Sequence, residues 1–127
     1  MGGGCKVAEN LLPQVLKVLY GRLSLTRGQI AIATELYVME KVEARGSDVA
    51  EAVSNAVREL CADCRAAIEE GGLRVDVKCG AECSLEEVCP LPFYIAAYVR
   101  KATSRRVALA SHEVRGAGEC TIRYMLQ

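Results

Sequence analysis

The chain lacks a net charge, long apolar runs and all but one histidine, and each deficit removes a class of function. Its 127 residues carry 16 Lys and Arg against 16 Asp and Glu. Both signs mix along the short amphipathic segments, so no broad basic face is expected and no nucleic-acid partner with it. The longest basic cluster, Arg100, Lys101, Arg105 and Arg106, lies beside a Thr103-Ser104 break and reads as a solvated helix end. No apolar run approaches the roughly 18 residues that span a bilayer, so no membrane partner is expected either. The start, Met1 to Cys5, has no basic region followed by an apolar one, and Lys6 stands where a myristoylation motif wants Ser or Thr. Residues 1–6 therefore read as a flexible leader, and the cytoplasm as the compartment. Amide side chains are scarce, limited to Asn10, Gln14, Gln29, Asn55 and Gln127, a bias shared with thermophilic, archaeal-like proteins. No Gly-x-Ser-x-Gly elbow is present to centre a hydrolase on serine.

What is abundant is apolar side chain, 51% of the chain, enough for one domain over 1–127 with a core that needs no disulfide support. Asn10 is placed to cap a first helix through Leu11, Leu12, Val15, Leu16 and Leu19, ended by Gly21. Thr26 and Gln29 form a capping box that opens a broad apolar helix through Ile30, Ala33, Tyr37, Val38 and Val42 to Gly46. Ser47 and Asp48 open a third, whose apolar residues from Val49 through Val57, Leu60, Cys64 and Ala67 to Ile68 recur at helical spacing until Gly71-Gly72. The pattern then changes to alternation, with Leu73, Val75, Val77 and Cys79 on one face and Arg74, Asp76 and Lys78 on the other, which is a half-buried strand. Ser84 and Glu87 make another capping-box signature, and a short helix follows Pro90 and Pro92 from Phe93 to near Thr103. Arg106 to Val114 and Glu119 to Leu126 read as two strands joined at Gly116-Ala117-Gly118. The expected fold is α+β, with N-terminal helices packed on a small antiparallel sheet that ends in a C-terminal β-hairpin.

Seven cysteines without an export signal favour reduced thiols or metal ligands over a disulfide framework, heat-adapted proteins being the exception. Cys5 falls in the leader. Cys61 and Cys64 follow the third helix's spacing and read as small core residues, with a thiol redox switch at this pair or at Cys79 and Cys83 as the alternative. Cys79, Cys83, Cys89, His112 and Cys120 remain, a set whose thiolate and imidazole donors suit four-coordinate zinc. Cys120 shares its strand face with Ile122, Tyr124 and Leu126. His112 alternates with Ala108 and Ala110, so a bulge is needed to bring it to the face of Cys120.

From Leu73 to Leu126 the chain resembles the C-terminal half of the 4-vinyl reductase domain family, whose fold is shared with transport-particle subunits and is similar to haem nitric-oxide-binding domains. The resemblance is carried by a strand leading to Cys89, by the apolar helix Phe93 to Lys101, and by a hairpin spaced Cys-x-x-x-Gly-x-x-x-Cys. Here the hairpin runs from His112 through Gly116 to Cys120, with His112 in place of the first Cys. A family glutamate ligand three residues before that position is Leu109 here, so the resemblance implies Cys89, His112 and Cys120 as metal ligands. Cys83 or Cys79 is left for the fourth corner.

The resemblance further implies a dimeric accessory domain that senses or holds a small hydrophobic molecule and is stabilised by zinc. Its pocket would lie between the helical layer and the sheet, lined by residues such as Phe93, Ile95, Ala96 and Tyr98; the bland alternative is that these fill an ordinary core. The broad apolar second helix is consistent with a homodimer. A metal-dependent hydrolase would need an open zinc site with only three protein ligands.

Overall fold

A computed structural model describes residues 11–59, 63–69, 71–78, 89–116 and 119–126. The elements run α1 (Leu12–Arg22), α2 (Arg27–Lys41), α3 (Val49–Glu59), β1 (Asp63–Glu69), β2 (Gly72–Lys78), α4 (Leu91–Thr103), β3 (Val107–Gly116) and β4 (Glu119–Leu126). The four strands form one antiparallel sheet in the order β1-β2-β4-β3, with β3 and β4 as the C-terminal hairpin. The fold is α+β as expected, and among the described residues no helix is long and apolar enough to cross a membrane.

Local chemistry explains most of the boundaries. At the start of α2, Thr26 accepts from the Gln29 N–H at 3.1 Å while the Gln29 side chain accepts from the Thr26 N–H at 2.9 Å, the reciprocal capping box read from the sequence. At α3, Asp48 accepts from the Glu51 N–H at 2.8 Å. The first helix passes through Gly21 and ends at Arg22, with Leu23 as its C-cap and Ser24 beyond it at a left-handed φ of 64°. The second ends at Lys41, short of Gly46, because Val42 turns extended and buries its side chain.

The third helix is a correction. Helical spacing was expected to continue to Ile68, but α3 stops at Glu59 and residues 63–69 form β1, so two strands precede α4 where one was expected. Cys64, Ala66 and Ile68 also alternate at the two-residue spacing of a strand, and their register places them opposite Val77, Val75 and Leu73. Gly71, at φ 68°, supplies the left-handed turn between β1 and β2 rather than a helix stop. The free hydrogen-bonding edge of β2 decides between the two periodicities, since an unpaired edge leaves a row of donors and acceptors that β1 satisfies.

The helical layer covers one face of the sheet. Val53 and Val57 of α3, with Ile95, Tyr98 and Val99 of α4, meet Leu73, Val75, Val77, Ile122 and Tyr124 in a fully buried core. α2 packs on α4 and inserts Val38, while α1 contributes no buried side chain among those described. The other sheet face carries Arg74, Asp76, Lys78, Glu119, Thr121 and Arg123. It is tied by Arg74–Asp76 at 3.3 Å and by the Thr121 hydroxyl donating to Asp76 at 2.8 Å. Residues 1–6, Asn10, Leu60, Cys61, the Ser84-Glu87 signature and Ala117-Gly118 lie outside the described residues.

Candidate functional site

Where α2 crosses α4 the facing residues are small, and a cleft of about 270 Å³ results, lined by Ala31, Glu35, Phe93, Ala96, Ala97, Arg100, Arg106 and Val107. Alanines at the crossing leave the space, Phe93 and Val107 supply apolar wall, and charged groups stand at the rim. Glu35 and Arg100 join across it at 3.1 Å with both side chains about half exposed, so the pair shapes the rim more than it stabilises the fold. The basic cluster at the end of α4 is thus not simply solvated. Arg100 bridges to α2, Arg106 lines the cleft, and Lys101 donates to the carbonyls of Val38, Met39 and Val42 in the last turn of α2. There the cation meets the negative end of the helix dipole and holds the two cleft walls together.

At the Phe93 end stands Arg27, the first residue of α2. Its guanidinium carbon lies 5.6 Å from the Phe93 ring centroid, and its Nε and Nη2 are buried without a hydrogen-bond partner among the described residues. His112 is a neighbour. Burial, and then the positive charge of Arg27, lower its pKa from the ordinary 6.5, so the imidazole is neutral at neutral pH. The expected bulge is present: the register skips Ala110 between Leu109 and Ser111, and this swings His112 opposite Ile122 on the core-facing side.

The four expected pocket residues divide between two faces of α4. Phe93 and Ala96 line the cleft, whereas Ile95 and Tyr98 are wholly buried in the core, because residues two or five positions beyond Phe93 fall on another side of a 3.6-residue helix. The Tyr98 hydroxyl accepts the Arg45 N–H at 3.1 Å and donates to Glu59 at 3.2 Å, with Tyr94 reaching the same carboxylate at 3.5 Å. Burial and then the Glu59 charge push the Tyr94 phenol up to about 12.

Cys89 and Cys120 are both buried, at 8% exposure, and both act on the same tyrosine. Tyr124 donates to the Pro92 carbonyl at 2.6 Å, and its pKa is raised by burial first and then by the charges of Cys120 and Cys89. His112 is not gathered with them: it pairs with Ile122, one diagonal step along the ladder from the Val114–Cys120 pair, and its charged neighbour is a cation. Among the described residues no three His, Cys, Asp or Glu side chains converge on a metal position. The donor chemistry of two thiols suits zinc; His112 has Arg27 as its charged neighbour, and Cys79 and Cys83 lie outside the described residues. Cys64 occupies a strand position opposite Val77 rather than a helix face.

Sequence reasoning missed Arg27, Glu35 and Glu59, and misread Lys101. Arg27 hides inside the capping box, and only its four-residue spacing to Ala31 and Glu35 signals a shared face. No protein-family model matches the chain, and neither a curated protein nor a solved structure matches it.

Proposed function

We propose that this chain is a binding module that holds a small, largely apolar molecule in the cleft between α2, α4 and β3. The observation that carries this reading is the cleft itself: apolar walls from Phe93, Ala96, Ala97 and Val107 with a few charged groups at the rim, the usual make-up of a small-molecule site. Its volume, about 270 Å³, is below the ~300–1,000 Å³ typical of drug-sized ligands, which limits the occupant to a compact one. Binding is favoured over turnover because, of the lining side chains, only Glu35 has the chemistry of a general base, and it is engaged by Arg100.

The test is ligand titration followed by amide NMR, using a panel of single-ring compounds on the wild type and on Ala96→Phe. Ala96 is half-buried at the cleft wall, so phenylalanine fills the space without entering the core. Shifts clustered at Ala31, Phe93 and Val107 that disappear in Ala96→Phe support the reading. Undiminished binding by the variant places the ligand elsewhere and ends it.

Two companions of this reading have their own measurements. Zinc held by Cys89 and Cys120 together with Cys79 or Cys83 is supported by the buried thiol pair at Tyr124; metal-free purified protein by elemental analysis would refute it. A homodimer is supported by the exposed Ile32, Leu36 and Tyr37 of α2, and sedimentation at a monomer mass at high concentration would refute that.

A further inference from the structure

Arg27 is the residue whose hydrogen-bonding needs the described part of the fold leaves unmet. Its Nε and Nη2 are shielded from solvent and have no hydrogen-bond partner among the described residues. The Phe93 ring at 5.6 Å attracts the cation but offers no acceptor, and a neutral His112 brings no negative charge. Arg27 is only partly buried, but donors withdrawn from water without acceptors are unfavourable, and native structures keep such groups where something else completes them.

The identity of the two atoms narrows what that something is. Nε–H and one Nη2–H lie side by side along one edge of the guanidinium plane, the donor pair that the two oxygens of a carboxylate span in a bidentate contact. The surrounding charge agrees. Among the described residues, three guanidinium groups, Arg27, Arg100 and Arg106, stand around the cleft and its Phe93 end against one carboxylate lining it, Glu35, which Arg100 already engages. That positive excess favours an anion.

Arg27 also belongs to the cleft by position. Arg27, Ala31 and Glu35 follow at four-residue spacing on α2, so Arg27 precedes the cleft-lining Ala31 by about 6 Å along the helix axis. Phe93 faces both the guanidinium and the cleft. Building on the cleft reading above, we propose that the ligand is a small organic acid, its carboxylate seated on the Nε and Nη2 edge of Arg27 and its apolar body along Phe93 and Ala96.

The test compares phenylacetate with phenylacetamide, which matches it in shape without the charge, by calorimetry on the full chain. The acid is expected to bind about 10- to 100-fold more tightly than the amide, the difference that a charge-assisted pair makes over a neutral one. In Arg27→Met that preference disappears while the amide's affinity is kept, and in Ala96→Phe both ligands are lost. Equal affinity of acid and amide for the wild type overturns the Arg27 proposal and leaves the cleft reading intact; no binding of either overturns both. Ligand-free stability gives a second readout. Methionine keeps the contact with Phe93 and removes the two buried donors that have no partner among the described residues, so Arg27→Met raises Tm. A lowered Tm, or a variant that does not fold, means that Arg27 serves the fold and overturns the proposal.

Discussion

Replacing Lys101 by methionine removes one charge and tests how the cleft walls are held. Lys101 lies in the last turn of α4, and its Nζ donates at 3.0 Å to the Val38 carbonyl, at 3.0 Å to the Met39 carbonyl, and to that of Val42. These oxygens end α2, where the helix has few N–H groups left to offer and its dipole is negative. Methionine preserves the aliphatic stem and its packing. A cation at a helix C-terminus contributes about 0.3–1 kcal/mol when exposed and up to about 2 kcal/mol when partly buried. Lys101 is itself exposed, but its bonds to Val38 and Val42 are part-buried, so those carbonyls do not rehydrate freely. Adding that penalty at the low end of the range for an unmade hydrogen bond, the loss is about 2 kcal/mol. With urea m-values of about 1–3 kcal/mol per molar, the unfolding midpoint falls by about 1 M at unchanged m. Far-UV circular dichroism in urea measures this. A midpoint within about 0.3 M of wild type would put Lys101 among ordinary solvated lysines and refute the clamp.

Four further outcomes follow from the packing and the titrating groups. Gly46→Ala places a Cβ 2.7 Å from the Ala52 backbone at a φ of 150°, and a loss of about 2–4 kcal/mol is expected by urea denaturation; a change within 0.5 kcal/mol would show that the α2–α3 loop relaxes. Tyr124→Phe abandons the Pro92 carbonyl at the start of α4, with an expected loss of about 1–3 kcal/mol read from Tm. Tyr94 ionises near 10.0 when unfolded and at about 12 when folded, so the unfolded chain releases that proton first. Its contribution to stability is full below pH 10 and is lost as pH rises toward 12; Tyr94→Phe should flatten that slope in urea midpoints taken across the range. His112 runs the other way: its folded pKa lies below 6.5, so the unfolded chain takes up the proton first and stability declines as pH falls below 6.5. As the chain's single histidine it is directly readable by proton NMR, and Arg27→Gln should raise its pKa part of the way, burial remaining.

The legible features share a local cause. The Thr26-Gln29 capping box, the alternation from Leu73 to Val77 and the helix after Pro90 each follow from groups within a few residues of one another. The bulge that turns His112 was also legible, since its alternation with Ala108 set it on the wrong face for Cys120. The candidate site was legible in halves. Phe93 and Ala96 were found but grouped with Ile95 and Tyr98, which the helical turn sends into the core.

Sequence by itself therefore determined the elements whose periodicity admitted one reading, together with their caps, and the α+β class that they imply. Only the tertiary structure decided the rest. It made residues 63–69 a strand, because both periodicities fit and the unpaired edge of β2 broke the tie. It turned Arg100 and Lys101 from a solvated end into links to α2, and it set Arg27 beside Phe93 with two donors unanswered among the described residues. Charge and hydrogen bonding are satisfied by whatever the fold brings near, across separations of up to 65 residues here, and no window along the chain contains both partners.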